Sequence, residues 1–414
     1  MTRIRLGRPG RPPLGPGRLC VVLAGALALA SCSAGQDTAG RPPPPLLLDG
    51  PLVVATSFAS GGSAVALVPM GDLGEPRNTF WELVARSRAG GPFVLDTPPG
   101  VADNGGLVAA PAGSGGAVVG VVTSQLLGFS PTARSDRPGG RWSPGTLAQP
   151  LAPLPGALAA GSYGVAALVG LRGSSVELSR DGRGGWRVVG SVRDLRRLAP
   201  RSCGLGALTA VGPSQPPGGA TSRASLAVAG ACAGRGQIAL FAATAGSAAW
   251  TALPVRLGRP LRASEVEVAA IEPSQGGYLL LLASRGPGGS ALWTARVVPG
   301  SGTLTLSAPL ELGARRLRAL ATSPSPRGAR LLVLAAGGSP ASPSEEEAAA
   351  IGPGQRSWQL LAPPPPGTEG VAWGPHTAVA LVVHRSRLAV DRLGGDRWHM
   401  VQSLEVPVPY GSSG

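Results

Sequence analysis

Ten arginines and two cysteines carry most of the chemistry this chain can offer. Arg193, Arg196, Arg197 and Arg201 fall in one stretch, Arg256, Arg259 and Arg262 in a second, and Arg315, Arg316 and Arg318 in a third. A guanidinium presents a planar fork of N–H donors that matches carboxylate or phosphate oxygens two at a time. Only Asp194 and Glu311 oppose the positive charge in these stretches, which makes them candidate contacts for an anionic ligand. Residues 97–104 and 363–370, at comparable places in the chain, contain no arginine, so the charge is asymmetric. A competing explanation stays open. All 37 basic residues are arginine, beside 64 glycines and 43 prolines, as GC-rich codon usage would produce.

The elements that must position these residues are short strands. From Pro51 onward, apolar runs such as AVALVP, VAALVG, YLLLLAS and LLVLAA alternate with Gly, Pro, Ser and Asp turns, the pattern of strands bounded by turn signals. Trp142, Trp186, Trp250, Trp358 and Trp398 each follow a turn and open an apolar run, and Phe93 and Leu304 mark two further equivalents. The result is seven units of about 50 residues, a spacing typical of repeat architectures. Each unit divides into four strands, and Pro213, Pro273 and Pro324 sit at equivalent places near the end of a first strand. The expected fold is all-β, a seven-bladed β-propeller over residues 51–409, with six or eight blades also compatible with the uneven spacing. The arginine runs then join one blade's last strand to the next blade's first. One helix is expected, at residues 344–351 (SEEEAAAI), where Ser344 and Glu347 have capping-box spacing. Taking residues 204–211 and 224–231 as the first hairpin of unit four, Cys203 stands opposite Cys232, and a disulfide is expected.

The N-terminus sets the compartment. Arg3, Arg5, Arg8, Arg11 and Arg18 precede an apolar run from Leu19 to Ala30, the order of a secretory signal peptide. That run is shorter than the roughly 20 residues a spanning helix needs. Leu29-Ala30-Ser31-Cys32 resembles a bacterial lipobox, which implies cleavage after residue 31 and lipidation of Cys32. Residues 33–45 (SAGQDTAGRPPPP) are small, polar and proline-rich, suited to a tether. The expected organisation is a signal peptide at 1–31, the lipidated cysteine and tether at 32–50, the propeller, and a tail at 410–414. A cell-membrane protein, lipid-anchored and extracytoplasmic, follows from it. Export also lets a disulfide persist.

Ser179-Arg180-Asp181-Gly182-Arg183-Gly184-Gly185-Trp186 resembles the Asp-box turn, S-x-D-x-G-x-T-W, of sialidase-like propellers. Ser179, Asp181 and Trp186 match, and Arg183 and Gly185 depart. Around Trp142, Ser135, Gly139 and Trp142 match. In that family the turn is structural. A sialidase-like hydrolase would also need an arginine triad, an acid over the pocket and a Tyr/Glu pair, for which Tyr163 and Tyr278 are candidates, but its Arg-Ile-Pro signature is missing. His376, His384 and His399 are dispersed, Glu345-Glu346-Glu347 suits a helix start, and no nucleophile-elbow, zinc-protease or phosphate-loop motif occurs. No cofactor or metal is expected. With 4% aromatic residues and no basic stretch interleaved with stacking side chains, neither is nucleic acid. The reading is a non-enzymatic binding or scaffolding module for an anionic envelope ligand or a protein partner. A sialidase-like glycoside hydrolase acting on envelope or host glycans is the alternative.

Overall fold

The computed structural model describes Leu48 and residues 54–407, apart from residues 61, 72–78, 100–105, 113–114, 124–126, 171, 215–224, 245–248, 275, 300–302, 326–327 and 338–345. The leader, Cys32, the tether and the tail lie outside the described residues. Among those described, the strands form seven antiparallel four-stranded meanders, at residues 55–95, 106–147, 158–191, 205–253, 265–306, 315–360 and 368–405. Five are sheets of their own, one with an added strand, Leu310–Gly313, on Gly289–Val298. Meanders one and six join into a single eight-stranded sheet. Four-stranded sheets repeated in this way make a β-propeller.

The tryptophan register marks the fourth strands: Trp250 opens Trp250–Leu253, Trp142, Trp186 and Trp358 immediately precede Ser143–Leu147, Arg187–Ser191 and Gln359–Leu360, and Trp398 is the second residue of Arg397–Glu405. Three of these indoles fasten their meander to the one before it. Trp142 Nε1 donates to Asp96 Oδ1 (3.1 Å), Trp250 Nε1 to Val189 O (2.7 Å) and Trp398 Nε1 to Ala362 O (3.0 Å). The approach of Trp250 needs a glycine, because a Cβ on Gly190 would stand 2.9 Å from Trp250 Nε1. A partly buried bond of this kind is worth about 1 kcal/mol, and each also fixes the angle between neighbouring sheets.

First strands are rich in alanine and valine, as in Gly106–Ala112 and Glu265–Ser274, and are almost wholly buried. Small side chains suit strands that crowd around a common axis. Pro111, Pro213, Pro273 and Pro324 each take the penultimate place of a first strand. The first strands carrying Pro111, Pro213 and Pro273 are edges of their sheets, and Pro324 lies beyond the Ala55↔Ala319 to Phe58↔Thr322 pairing of its strand, so in each a residue without an N–H costs no ladder bond. The apolar core is correspondingly divided. One cluster joins Ala269, Leu281, Leu320 and Val333 of meanders five and six, and another joins Ala210, Leu240, Val268 and Leu282 of meanders four and five.

The helix expected at 344–351 is corrected. Ser344 and Glu345 lie outside the described residues, and Glu347–Ile351 is the third strand of meander six, paired with Gly328–Gly337 from Leu331↔Ile351 to Ala335↔Glu347. Alanine's advantage in a helix over other ordinary residues is at most about 0.7 kcal/mol per residue. Burial of Ala348, Ala349 and Ile351 in the core, together with the sheet ladder, outweighs it. The disulfide forms: Cys203 and Cys232 are bonded with Cα atoms 4.7 Å apart, and Leu205 stands opposite Cys232 in the hairpin of meander four.

One departure from radial repetition concerns ring closure. The first strands of meanders one and six, Ala55–Ser60 and Arg315–Ser325, pair in parallel from Ala55↔Ala319 to Phe58↔Thr322. Thr368–Trp373, the first strand of meander seven, packs on that seam with every residue buried. Ser57 Oγ donates to Val371 O (2.6 Å), and Arg86 Nη2 to Trp373 O (3.1 Å).

Candidate functional site

The ten arginines singled out from the sequence meet different local structures. Arg193, Arg196 and Arg197 lie on a short helix, Val192–Leu198, capped by Ser191 Oγ, which accepts from Asp194 N. Its buried Leu195 sets the helix down on the protein and leaves the arginines exposed. Arg196 turns back, donating from Nε and Nη2 to Leu205 O (3.0 and 2.8 Å), and Arg197 is 3.9 Å from Asp194. Arg201 follows the helix, and Arg256, Arg259 and Arg262 surround the 3-10 turn Arg259–Leu261; all four are exposed. Arg193, Arg201, Arg256, Arg259, Arg262 and the exposed Arg316 have no partner among the described residues.

The third run is corrected: Arg315, Arg316 and Arg318 do not lie in a connecting segment but at the start of the first strand of meander six, Arg315–Ser325, and Arg315 and Arg318 are engaged. Arg315 Nη1 donates to Glu347 Oε2 (2.6 Å), with further bonds to Leu312 O and Glu311 O. Arg318 Nε donates to Glu369 Oε2 (2.6 Å). Glu369 is buried, and burial pushes its carboxyl up to about 7, against the pull of Arg318 and with a further push from Glu346. Glu346 is raised by burial as well. Two carboxyl groups thus share one guanidinium where meander seven meets meander six.

At the axis, a cavity of about 80 Å³ is lined by Ser57, Ala109, Ala159, Val211, Ile271 and Leu320 among others, from six of the seven first strands. Thr368–Trp373 contributes none of the described lining residues, because the parallel seam lies in front of it. The wall is apolar apart from Thr56, Ser57, Glu272 and Thr322. Burial raises Glu272 to about 7, opposed by its hydrogen bond with Thr322. The Tyr163 hydroxyl, buried without a hydrogen-bond partner, is held well above the usual phenol range by burial and by Glu272. Tyr278 is packed in the core.

The third place was missed in the sequence. A cleft of about 530 Å³ between meanders two and three is lined by Arg134, Asp136, Arg141, Ser143, Arg180, Asp181 and Arg183. The turn beginning at Ser179 forms one wall. Asp181 Oδ1 accepts from Arg183 N (3.0 Å) and Asp181 Oδ2 from Arg183 Nε (2.8 Å), and the backbone bond holds its carboxyl below the usual range. Ser179 Oγ accepts from Gly182 N (3.0 Å) and donates to Gly184 O. Meander two clamps this turn through Thr132 Oγ1 to Gly182 O (2.8 Å), Arg134 Nη1 to Asp181 O (3.3 Å) and Thr146 N to Arg183 O (2.9 Å). Only glycine fits at 145, where a Cβ would lie 2.3 Å from Arg183 O. A signal was available: RSDRPGGRW and SRDGRGGW precede equivalent tryptophans of consecutive units, so their charges had to lie side by side.

No family model matches the chain. No curated protein matches it in sequence. Solved β-propellers are similar in fold. A fungal lectin from Aleuria aurantia, described as six-bladed and fucose-recognising, is 13% identical over 87% of this chain and 97% of its own, with a TM-score of 0.41. A protein from Bacteroides uniformis described as a 6-phosphogluconolactonase is 13% identical over 84% and 98%, with a TM-score of 0.49. An ulvan lyase of polysaccharide lyase family PL25 is 10% identical over 89% and 94%, with a TM-score of 0.42.

Proposed function

We propose that the chain is a lipid-anchored, extracytoplasmic binding module whose seven meanders are the blades of a seven-bladed propeller. The observation that carries the ligand assignment is the set of exposed, unpartnered guanidinium groups at two successive crossings: Arg193 and Arg201, then Arg256, Arg259 and Arg262. Crossings of this kind emerge on one face of a propeller, so an extended anionic polymer or the acidic surface of a protein partner could contact both. The anchor rests on the Leu29–Cys32 sequence and the tether behind it.

The test is binding of a defined polyanion, linear polyphosphate, to the full chain at low salt. Replacing Arg193, Arg201, Arg256, Arg259 and Arg262 by Gln is expected to weaken it at least tenfold. Unchanged binding would overturn the ligand face. Separately, Cys32→Ser should move the chain from the membrane to the soluble fraction, and continued membrane retention would overturn the anchor.

The electrostatic influence of Glu272, which lines the axial cavity, on the buried Tyr163 hydroxyl is the one observation that favours the hydrolase alternative. It is the weaker reading, because the described lining of that cavity contains no arginine to hold an acidic sugar.

A further inference from the structure

We infer that the cleft between meanders two and three is a second binding site, separate from the crossing face, for a saccharide that carries carboxylate groups. Arg134 and Arg183 are tied to Asp136 and Asp181. Arg141 and Arg180 are exposed, line the cleft, and have no partner among the described residues. The cleft therefore holds two spare guanidiniums, each able to take a carboxylate through paired N–H bonds.

Its acids narrow the ligand. Asp181 is held ionised by its bonds to Arg183, and Asp136 stands beside Arg134. Each carboxylate occupies one of the four guanidiniums, so only two positive charges are left over, enough for a sparse negative charge and too few to match a polymer charged on every unit at close spacing, such as polyphosphate. The carboxylates would accept hydrogen bonds from the hydroxyls of a sugar ring. Spare arginine for a sparse negative charge and ionised aspartate for hydroxyls together match a uronic-acid type of saccharide. The volume, about 530 Å³, is within the range of small-ligand sites. Every lining residue is an arginine, an aspartate or a serine, which suits a sugar edge more than an aromatic ligand.

The site is also built in advance. Three cross-meander hydrogen bonds, from Thr132, Arg134 and Thr146, hold the turn against its neighbour. A fixed cleft loses little conformational entropy when a ligand binds.

The experiment measures binding of oligogalacturonate to the full chain by calorimetry, with neutral oligosaccharides of equal length and short polyphosphate as comparisons. Arg141→Gln/Arg180→Gln is the test variant. Both side chains are exposed and unpartnered, so folding should be unaffected, and circular dichroism with thermal melting checks this. The inference predicts that oligogalacturonate binds more tightly than either comparison. It also predicts at least a tenfold loss in the double variant and no change when the arginines of the crossing face are replaced. Failure of oligogalacturonate to bind, equal binding of polyphosphate through the same two arginines, or loss only in the crossing-face variant would each overturn it. That last result would leave the crossing-face proposal standing, and the two readings fail separately.

Discussion

Arg318 and Arg259 come from two of the arginine runs expected between units, yet Arg318 lies within the first strand of meander six and Arg259 on the turn before meander five, and their surroundings make them different residues. Arg318 reaches the buried Glu369 of the following meander, 51 residues further on, and stands close enough to Glu346 to pull on its ionisation. Arg259 sits on an exposed turn with no carboxylate partner among the described residues. A carboxylate supplied from a distant strand turns a guanidinium into part of the fold; without one, the same group remains available to a ligand. The distinction is invisible to a count of arginines.

The largest test of this contrast removes the guanidinium of Arg318. Arg318→Met strands Glu369, whose side chain is 10% exposed, beside Glu346. Breaking a buried pair by removing one partner costs about 3 kcal/mol or more. Urea denaturation at pH 8 should show a loss of that order, and a loss below 1 kcal/mol would mean that the pair contributes nothing specific.

The pH dependence sharpens the point. Glu369 in the folded chain is raised to about 7, above the ordinary carboxylate value near 4.3 that it takes when unfolded. The folded state therefore binds the extra proton between those values. The stability this gives is fully present below about pH 4.3 and is lost as pH rises through 7. Removing Arg318 raises Glu369 further, so the gap between Arg318→Met and the parent chain should be smaller at pH 5 and widen only above pH 7, by at most about 1.4 kcal/mol at pH 8. A gap independent of pH would assign the cost to lost packing instead.

Arg315 is intermediate. Its bond to Glu347 is short, but each side chain is about a quarter exposed, so water stabilises either partner left alone. Arg315→Met should cost about 1.5 kcal/mol, measured in the same denaturation series. A cost equal to that of Arg318→Met would show that burial of the carboxylate is not the deciding variable.

The same distinction explains what could be read from the sequence. The fourth strands were legible because a tryptophan or an equivalent apolar residue marks each, and the first strands because Pro213, Pro273 and Pro324 recur at one register position. Cys203 and Cys232 followed from a single hairpin. Local pattern failed at Glu347–Ile351, where three glutamates and an alanine run have helical propensity but the position between two strands decides. It failed again for Arg315 and Arg318, whose partners lie 32 and 51 residues away. The cleft between meanders two and three was hidden for a related reason: its residues come from two turns that look structural one at a time. The parallel seam that excludes meander seven from the axial cavity joins strands more than 250 residues apart, and nothing in either strand announces the other.

The smallest effect belongs to the other side of the comparison. Arg256→Gln, Arg259→Gln and Arg262→Gln, singly or together, should each leave stability within about 0.5 kcal/mol, as expected of surface positions outside any network. Their melting behaviour should not vary between pH 5 and pH 8 beyond that of the parent chain, since none faces a carboxyl group with a raised pKa among the described residues. A loss of more than 1 kcal/mol would show that these arginines hold the passage between meanders four and five together. The contrast with Arg318 would then collapse. A neutral result has a positive consequence, because exposed charges interact through water and salt. Any polyanion affinity these three provide should weaken steeply between low and physiological ionic strength, where screening shortens to about 8 Å. The Arg318–Glu369 contribution to stability, shielded inside the protein, should barely respond to the same change in salt.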